Sequence, residues 1–240
     1  MLTPWMSSEC VKQVIKKEAC CLMDMTLHIN KNVTAFVGPS EYVEMLHDIP
    51  AMQKCLLTTE KNIGPKYKAY VCRYSQDALP LDQSCVNLCV LAHQHEISEH
   101  LELLVHEISD AVVGEGHVAI VGFNPSSLFG IKKTFSSQSK NVTFHYATRM
   151  QSLFEKNGFE FVALKRTLFQ FPTAKGLKRK AGALSVVLRM IFPWLSGGYI
   201  LLMRKKTLSP TMVGLRWQAR KKMMGVVKGV VPSSMQNTKE

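Results

Sequence analysis

The residues best able to do chemistry stand close together in the stretch HQHEISEH, residues 93–100. A zinc site of the H-E-x-x-H type needs two histidines four residues apart on one helix, with a glutamate after the first. Here Glu96 follows His95, but the next histidine, His100, comes one residue too late to share that helical face. The stretch also joins an apolar run to a helical pattern. We therefore expect a strand-end loop beside a ligand, with Glu99 as a carboxylate at the helix start, and no metal.

A second feature is the loop that follows the apolar run His117–Gly122. The run predicts a buried strand, and Phe123-Asn124-Pro125 ends it. The loop then carries Leu128, Phe129 and Ile131. A solvent-exposed loop rarely needs so much apolar surface, and open α/β sheets bind ligands at the carboxyl ends of their strands. We expect this loop to lie over a ligand.

Asp77 ends another β-rich run, in the sequence SQDALPLDQSCVNLCVL. A carboxylate at the carboxyl end of a strand can accept hydrogen bonds from the amine or hydroxyl groups of a nucleoside. An aspartate after a strand is also a frequent turn former. The sequence alone leaves both roles open.

The elements that must position these groups alternate between strands and helices. The clearest helix is SEHLELLVHEISDAVVG, with Ser98 as the expected N-cap, Gly114 as the C′ residue and one apolar face. A second helix is expected over about Ala147–Asn157. Seven apolar runs predict strands: Val33–Val37, Cys55–Thr58, Ala69–Arg73, Cys85–Leu91, His117–Gly122, Phe159–Phe171 and Gly198–Met203. This alternation predicts an α/β fold with a mostly parallel sheet, covered by helices on both faces and closed at one edge by the last two strands.

Three blocks of the sequence match one family in order and spacing: DALPLDQSCVNLCVLAHQHEI, VGEGHVAIVGFNPSSLFGIKK and FPWLSGGYILLMRKKTLSPT. Together they resemble the class I S-adenosylmethionine-dependent methyltransferases (type 11-like), and most closely a bacterial subgroup marked by Gly-Phe-Asn-Pro after the fifth strand. The resemblance covers about residues 30–210. It implies a Rossmann-like, seven-stranded sheet that binds S-adenosyl-L-methionine across the carboxyl ends of its first half. The methyl acceptor is not identified by the sequence.

The same resemblance assigns residues to two sides of the site. The cofactor side comprises Val37, Gly38, Pro39, Asp77, Ala78, Ala92 and His93. The acceptor side comprises Glu96, Asn124 and Pro125, with Phe123–Ile131 as a lid or wall. Methyl transfer from a sulfonium depends on alignment more than on a dedicated base. If the chain uses a base, His93 and Glu96 are the candidates, and a structural role is the alternative for each.

The first loop departs from the family pattern G-x-G-x-G, since only Gly38 is present and Pro39 follows it. The acid expected after the second strand has only Glu60 as a candidate, and Asn87 stands where the family often has Asp in the fourth strand. A catalytically degenerate binding or regulatory module is therefore the alternative to an active methyltransferase.

Charge is concentrated in the last third of the chain. The formal net charge is +12, and residues 165–240 carry 16 Lys+Arg against one acidic residue. Such a region often contacts phosphates or another anionic surface, and a solubilising role is the alternative. We expect a methyltransferase-like domain over residues 1–205 and a basic, flexible tail over 206–240. In the alternative function this tail would bind nucleic acid or an acidic partner.

The cysteines and the chain start indicate the compartment. Seven cysteines without regular spacing predict reduced thiols, many of them in the core, and no secretory signal is evident in MLTPWMSSECVKQVIKK. The segment Leu184–Met203 has the length of a membrane span, but Arg189, Pro193 and Gly197-Gly198 favour a helix, a turn and a strand. We expect a cytoplasmic protein without a transmembrane segment.

Overall fold

The computed structural model describes residues 8–42, 49–59, 71–74, 78–127, 130, 142–167, 171–173, 176–178 and 196–207. The chain divides into two compact units, residues 1–207 and 208–240, and every described residue belongs to the first. Several residues named above lie outside the described ones: Glu60, Asp77, Leu128, Phe129 and Ile131.

Seven strands form one sheet, and its order matches the expected fold. The helices are α1 (Ser8–Met25), α2 (Leu101–Ala111) and α3 (Ala147–Lys156). The strands are β1 (Val33–Val37), β2 (Gln53–Thr58), β3 (Val71–Arg73), β4 (Val86–Ala92), β5 (Val112–Phe123), β6 (Phe159–Thr167), β7 (Phe171–Thr173), β8 (Gly176–Lys178) and β9 (Gly198–Lys205). The sheet order is β3-β2-β1-β4-β5-β9-β6, and β7 pairs with β8 apart from it. Strands β1 to β5 run parallel, whereas β9 is antiparallel to β5 and β6. The predicted mostly parallel, Rossmann-like sheet is confirmed.

Helices cover both faces of the sheet, which explains why the central strands are apolar throughout. The apolar side of α1 packs in one core cluster with residues of β1, β4 and β5. The apolar sides of α2 and α3 pack in a second cluster on the other face. Removing both strand faces from water is the main stabilising contribution in such a layered fold.

Several predicted element boundaries were wrong. The N-cap of α2 is His100, two residues after the predicted Ser98, and no side chain caps the helix there. The predicted single strand over 159–171 is divided, because β6 ends at Thr167 and Phe171 pairs with β8. The edge position of β6 and its pairing with β9 agree with the prediction.

The end of α2 also differs from its prediction. Val112 is extended and pairs with Val86 of β4, so that Gly114 lies inside β5 instead of ending the helix. A side chain from β9 binds carbonyls at the junction of α2 and β5: Lys205 Nζ donates to Ser109 O at 2.6 Å and to Val112 O at 2.8 Å. A distant lysine thus does what the sequence assigned to a local glycine.

In the described part of the chain, no helix combines the length and apolar character needed to cross a bilayer. The end of the apolar segment 184–203 is strand β9, as predicted. All seven cysteines have free thiols. Cys10 and Cys89 are buried, but Cys20 on the outer side of α1 and Cys72 on the edge strand β3 are exposed, so the prediction of core thiols holds only in part.

Candidate functional site

The carboxyl ends of β1 and β4 lie side by side and bring the predicted glycine and histidine together. The Gly38 amide donates to Leu57 O at 3.0 Å, and the His93 amide donates to Val121 O at 3.0 Å. A Cβ atom on Gly38 would lie 2.6 Å from the carbonyl oxygen of Ala92. Only glycine therefore lets the chain after β1 pass so close to the end of β4.

Four fully buried side chains lie at the carboxyl ends of β1 and β4: Glu18, Tyr42, His93 and Glu96. We call them the acid–histidine cluster. The Tyr42 hydroxyl donates to Glu18 Oε2 at 2.6 Å, and His93 Nε2 lies 3.4 Å from the same oxygen. On its other side, His93 Nδ1 lies 3.2 Å from Glu96 Oε1. The Phe123 amide at the end of β5 donates to Glu96 Oε1 at 2.6 Å. The cluster therefore joins α1, β1, β4 and β5.

The two carboxylates decide the charge of His93. Burial by itself lowers the pKa of His93, but Glu96 and Glu18 raise it by a larger amount, to about 10. The ring is therefore an imidazolium at neutral pH, and it cannot accept a proton. Burial, followed by the charge of Glu18, raises the pKa of Tyr42 well above 10, so its hydroxyl remains a donor. Burial raises the pKa of Glu96, and the charge of His93 only partly offsets this.

Each carboxylate of the cluster has one oxygen that the fold does not satisfy. Glu18 Oε1 and Glu96 Oε2 are buried and have no hydrogen-bond partner among the described residues. Buried carboxylate oxygens without a donor are unfavourable in a folded protein. Such atoms favour a ligand that brings N–H donors or positive charge.

His93 has a strained backbone, and aromatic neighbours fix the position of its ring. Its φ of 53° lies in the left-handed region, which costs a residue with a side chain about 1 kcal/mol or more. The ring centroid lies 4.3 Å from that of Phe123 and 5.5 Å from that of Tyr42. Aromatic packing on both sides therefore holds the imidazolium between the two carboxylates.

A second buried group, His95 with His145 and Tyr199, lies beside the ends of β5 and β9; we call it the histidine–tyrosine group. The Tyr199 hydroxyl donates to the carbonyl oxygen of His145 at 3.0 Å, and His95 Nε2 lies 3.4 Å from the Tyr199 oxygen. Burial, followed by the charge of His93, lowers the pKa of His95 well below 6.5. His95 is therefore neutral, in contrast to His93 two residues before it.

The remaining predicted cofactor residues divide into two sets. Val37 and Pro39 are buried at the end of β1 beside Gly38, and Ala92 is buried at the end of β4. Ala78 is exposed, and the amide of its neighbour Leu79 donates to Glu107 of α2 at 3.0 Å. Asp77, which the sequence places beside Ala78, lies outside the described residues.

Of the residues predicted on the acceptor side, Asn124 has a local role in this structure. Asn124 and Pro125 are half-buried just after β5. The Ser126 amide donates to Asn124 Oδ1 at 3.2 Å, so the asparagine side chain closes a turn. The Asn124 amide donates to Gly197 O at 3.1 Å, which ties this loop to the residue before β9.

Two other polar residues named from the sequence stand elsewhere. Asn87 Oδ1 accepts the amide of Val33 at 3.0 Å, at the opposite, amino edge of the sheet, where it has a structural role. Glu99 is exposed and lines an open groove of about 630 Å³ with His100 and Arg149 at the start of α2. Across the described ranges, no three His, Cys, Asp or Glu side chains converge as metal ligands.

Sequence reasoning missed Glu18 and Tyr42. The signal for Glu18 was present, because α1 buries a side chain every fourth residue through Cys10, Val14, Glu18 and Leu22. An acid on the apolar stripe of a helix predicts a buried partner. Tyr42 follows Gly38 by four residues, and nothing in its local sequence marks it as a hydrogen-bond donor to α1.

Comparison with known proteins identifies the fold. No protein-family model and no curated protein matches the chain. Among solved structures, an S-adenosylmethionine-dependent methyltransferase from Thermotoga maritima is similar with a TM-score of 0.59 and 16% identity, over 80% of this chain and 89% of that one. One from Archaeoglobus fulgidus has a TM-score of 0.56 and 13% identity, over 78% and 93%. The [4+2]-cyclase SpnF has a TM-score of 0.51 and 10% identity, over 79% and 80%. The chain thus has the class I methyltransferase fold.

Proposed function

We propose that the chain is an S-adenosylmethionine-dependent methyltransferase. The observation that carries this proposal is the acid–histidine cluster at the carboxyl ends of β1 and β4, with buried carboxylate oxygens that the fold leaves unsatisfied. In open α/β sheets this edge, beside the point where the strand order reverses, is where ligands bind. The order β3-β2-β1-β4-β5 places that reversal between β1 and β4.

The chemistry of the cluster fits the cofactor. S-adenosylmethionine carries an ammonium and a sulfonium, and the cluster offers Glu18 Oε1 and Glu96 Oε2 as acceptors for positive charge. Gly38 leaves no room for a side chain beside Ala92, and this keeps the end of β1 against the end of β4 in the proposed cofactor region. The cluster is fully buried, so we expect ligand entry to require movement of the segments around it.

When bound, the cofactor supplies a methyl group that an acceptor nucleophile takes by in-line displacement. The residues of the chain bind the cofactor and orient it. The Glu18 and Glu96 carboxylates would bind the positively charged groups of the cofactor. The His93 imidazolium lies between these two carboxylates and separates them. The rings of Phe36, Tyr42 and Phe123 exclude water, which strengthens every electrostatic contact in the cluster.

On the same proposal, Val37, Gly38, Pro39, Ala92 and His93 form the cofactor side. Asp77 and Ala78 contact the adenine end, and Glu96, Asn124 and Pro125 face the acceptor. Fold similarity alone does not fix the reaction, since SpnF is described as a cyclase. Activity must therefore be tested on this chain.

Calorimetric titration of the full chain with S-adenosylmethionine and with S-adenosylhomocysteine tests the proposal. We expect binding of both. Replacing Glu96 by Gln removes a buried carboxylate. The affinity for S-adenosylmethionine should therefore fall by about tenfold or more. The exposed Glu99→Gln is the matched control and should bind as the parent does. If the parent protein shows no binding at about 1 mM S-adenosylmethionine, the proposal is refuted, because a Kd of that size corresponds to a binding free energy of only about 4 kcal/mol.

The acceptor is then sought by transfer of a labelled methyl group to small amines, hydroxy compounds, protein and RNA fractions.

The strongly basic region over 165–240 favours a second function, in which a catalytically inactive fold binds nucleic acid or another anionic partner. Filter binding to RNA and DNA across a salt series separates the two functions, because affinity from phosphate contacts falls steeply with salt. Weak binding that does not respond to salt would remove the second function.

A further inference from the structure

His95 is held against the ends of β5 and β9 with no room to move. Its side chain is fully buried in the short turn Gln94–Glu96 after β4. Gly122 of β5 lies directly beneath it: a Cβ atom there would stand 2.7 Å from His95 Nε2 and 2.9 Å from Tyr199 Oη. The residue under the ring must therefore be glycine, and the ring has one defined position.

The hydrogen bonds of Tyr199 determine the tautomer of His95. A tyrosine hydroxyl has a single hydrogen, and Tyr199 donates it to the carbonyl oxygen of His145 at 3.0 Å. Towards His95 Nε2, 3.4 Å away, the Tyr199 oxygen can then only accept. Nε2 must carry the imidazole hydrogen. Because a neutral imidazole has only one N–H, Nδ1 is left with a lone pair.

That lone pair is buried and unused. His95 Nδ1 has no hydrogen-bond partner in the described part of the structure. The nearest carboxylate oxygen to the ring is Glu96 Oε1, 4.0 Å from Nε2 and already bonded to the Phe123 amide. The other groups around the ring are the positively charged His93 and the ring of His145, whose centroid is 6.2 Å away. These neighbours keep His95 neutral.

We propose that His95 Nδ1 accepts the proton of the nucleophile in the methyl acceptor. This inference rests on the proposed methyltransferase function. The sequence suggested His93 or Glu96 for this role, but His93 lies between two carboxylates and already holds its proton. Glu96 Oε1 already accepts the Phe123 amide and lies 3.2 Å from His93 Nδ1, and the proposed function assigns Glu96 Oε2 to the positive charge of the cofactor. His95 lies beside Gly122 of β5, where the acceptor is expected.

The transfer balances in atoms and charge. An acceptor X–H forms a bond from X to the methyl carbon, and the electron pair of the broken carbon–sulfur bond stays on sulfur. The X–H proton moves to Nδ1, so that His95 becomes an imidazolium that still donates from Nε2 to Tyr199. One positive charge leaves sulfur and one arises on His95, and the net charge of the buried site is unchanged. Burial and the charge of His93 oppose protonation of His95, and the positive charge that sulfur loses in the same step offsets this cost.

The acceptor class follows from this arrangement. A lone pair that takes a proton serves a nucleophile that enters with an N–H or O–H bond. We therefore infer an amine or hydroxyl acceptor. An acceptor that enters as an anion, such as a carboxylate, has no proton to give and gains nothing from His95.

Whether His95 Nδ1 has a free lone pair can be tested without a methyl acceptor. In full-length protein labelled with 15N-histidine, long-range proton–nitrogen spectra between pH 6.5 and 8 should show His95 protonated at Nε2 and bare at Nδ1. Tyr199→Phe removes the oxygen that fixes the tautomer, and the Nε2–H preference should be lost. The exposed Tyr146→Phe should leave the His95 signals unchanged. A proton on Nδ1, or a charged ring, in the parent protein would overturn the inference.

Catalysis is tested with His95→Gln, which keeps a side-chain N–H for Tyr199 and removes the basic nitrogen. With the acceptor found by the labelled-methyl screen, kcat should fall by about 100-fold or more while the cofactor Kd stays unchanged. The exposed His106→Gln is the matched control. An unchanged kcat in His95→Gln would refute the role. If the parent protein binds no cofactor, the proposed function fails, and the tautomer measurement still decides whether His95 holds an available lone pair.

Discussion

The Tyr42 hydroxyl donates a 2.6 Å hydrogen bond to the Glu18 carboxylate and thereby joins the turn after β1 to the N-terminal helix. Both side chains are fully buried, and the same carboxylate oxygen lies 3.4 Å from His93. A helix outside the parallel strands thus supplies an acid to the carboxyl edge of the sheet.

Tyr42→Phe removes the hydroxyl and keeps the ring that packs on Phe36 at 5.8 Å. The Glu18 carboxylate then loses a buried donor, and we expect the free energy of unfolding to fall by about 2 kcal/mol. Urea denaturation measures this. Tyr146→Phe, whose hydroxyl meets Ser126 on the surface, should change stability by less than about 0.5 kcal/mol. Equal effects of the two variants would show that burial of the Tyr42–Glu18 bond is unimportant.

Glu18→Gln removes one of the two carboxylates that hold His93. We expect a loss of about 3 kcal/mol, because a buried imidazolium then keeps only one counter-charge. The matched control is Glu9→Gln on the same helix, where the carboxylate bonds Gln13 at the surface. Thermal unfolding of the two variants beside the parent distinguishes them. A Glu18→Gln protein as stable as the parent would exclude the proposed charge state of the cluster.

Stability should fall at alkaline pH because of His93. Its pKa is about 10 in the folded protein against an ordinary value of 6.5. The raised pKa means that the stabilisation is complete below about pH 6.5 and is lost as the pH rises through about 10. The difference in unfolding free energy between the parent and His93→Gln should therefore shrink across this window. A difference that stays constant from pH 6.5 to 10 would contradict the prediction.

Gly38→Ala should destabilise the protein by more than Gly158→Ala. The new Cβ at position 38 would meet the backbone carbonyl of Ala92 at 2.6 Å, and a backbone atom cannot rotate away. At Gly158 the φ is +84° and no atom lies within 4 Å of an added Cβ, so only the conformational cost of about 1 kcal/mol applies. Denaturant midpoints rank the two variants. The opposite ranking would mean that the loop after β1 can shift away from β4.

Lys205→Met should weaken the end of α2. The ammonium group donates to two carbonyl oxygens there, and their loss should reduce stability by about 1 kcal/mol or more. Lys206→Met, at the exposed neighbouring residue, serves as the control. Hydrogen exchange should report faster opening at the amides of 108–112 in Lys205→Met alone. Unchanged exchange there would show that the helix end does not depend on the lysine.

The sequence by itself determined the layered sheet and the edge at which the candidate site lies. Apolar runs separated by helical patterns locate the seven strands of the main sheet, because burial on both faces demands apolar side chains in its central strands. The resemblance to the class I methyltransferases assigned Gly38, Ala92 and His93 to one side of the site, and in the structure the ends of β1 and β4 lie beside each other. The end of α2 could not be predicted, because its carbonyls are bound by a lysine 93 residues further along the chain.

Only the tertiary structure decided the roles of the two histidines. His93 and His95 are two residues apart and chemically identical, and no local pattern separates them. His93 is charged because Glu18 arrives from α1, 75 residues earlier in the chain. His95 is neutral, with its hydrogen on Nε2, because Tyr199 arrives from β9, 104 residues later. Protonation depends on which charges and donors surround a ring, and for both histidines those groups come from distant parts of the chain.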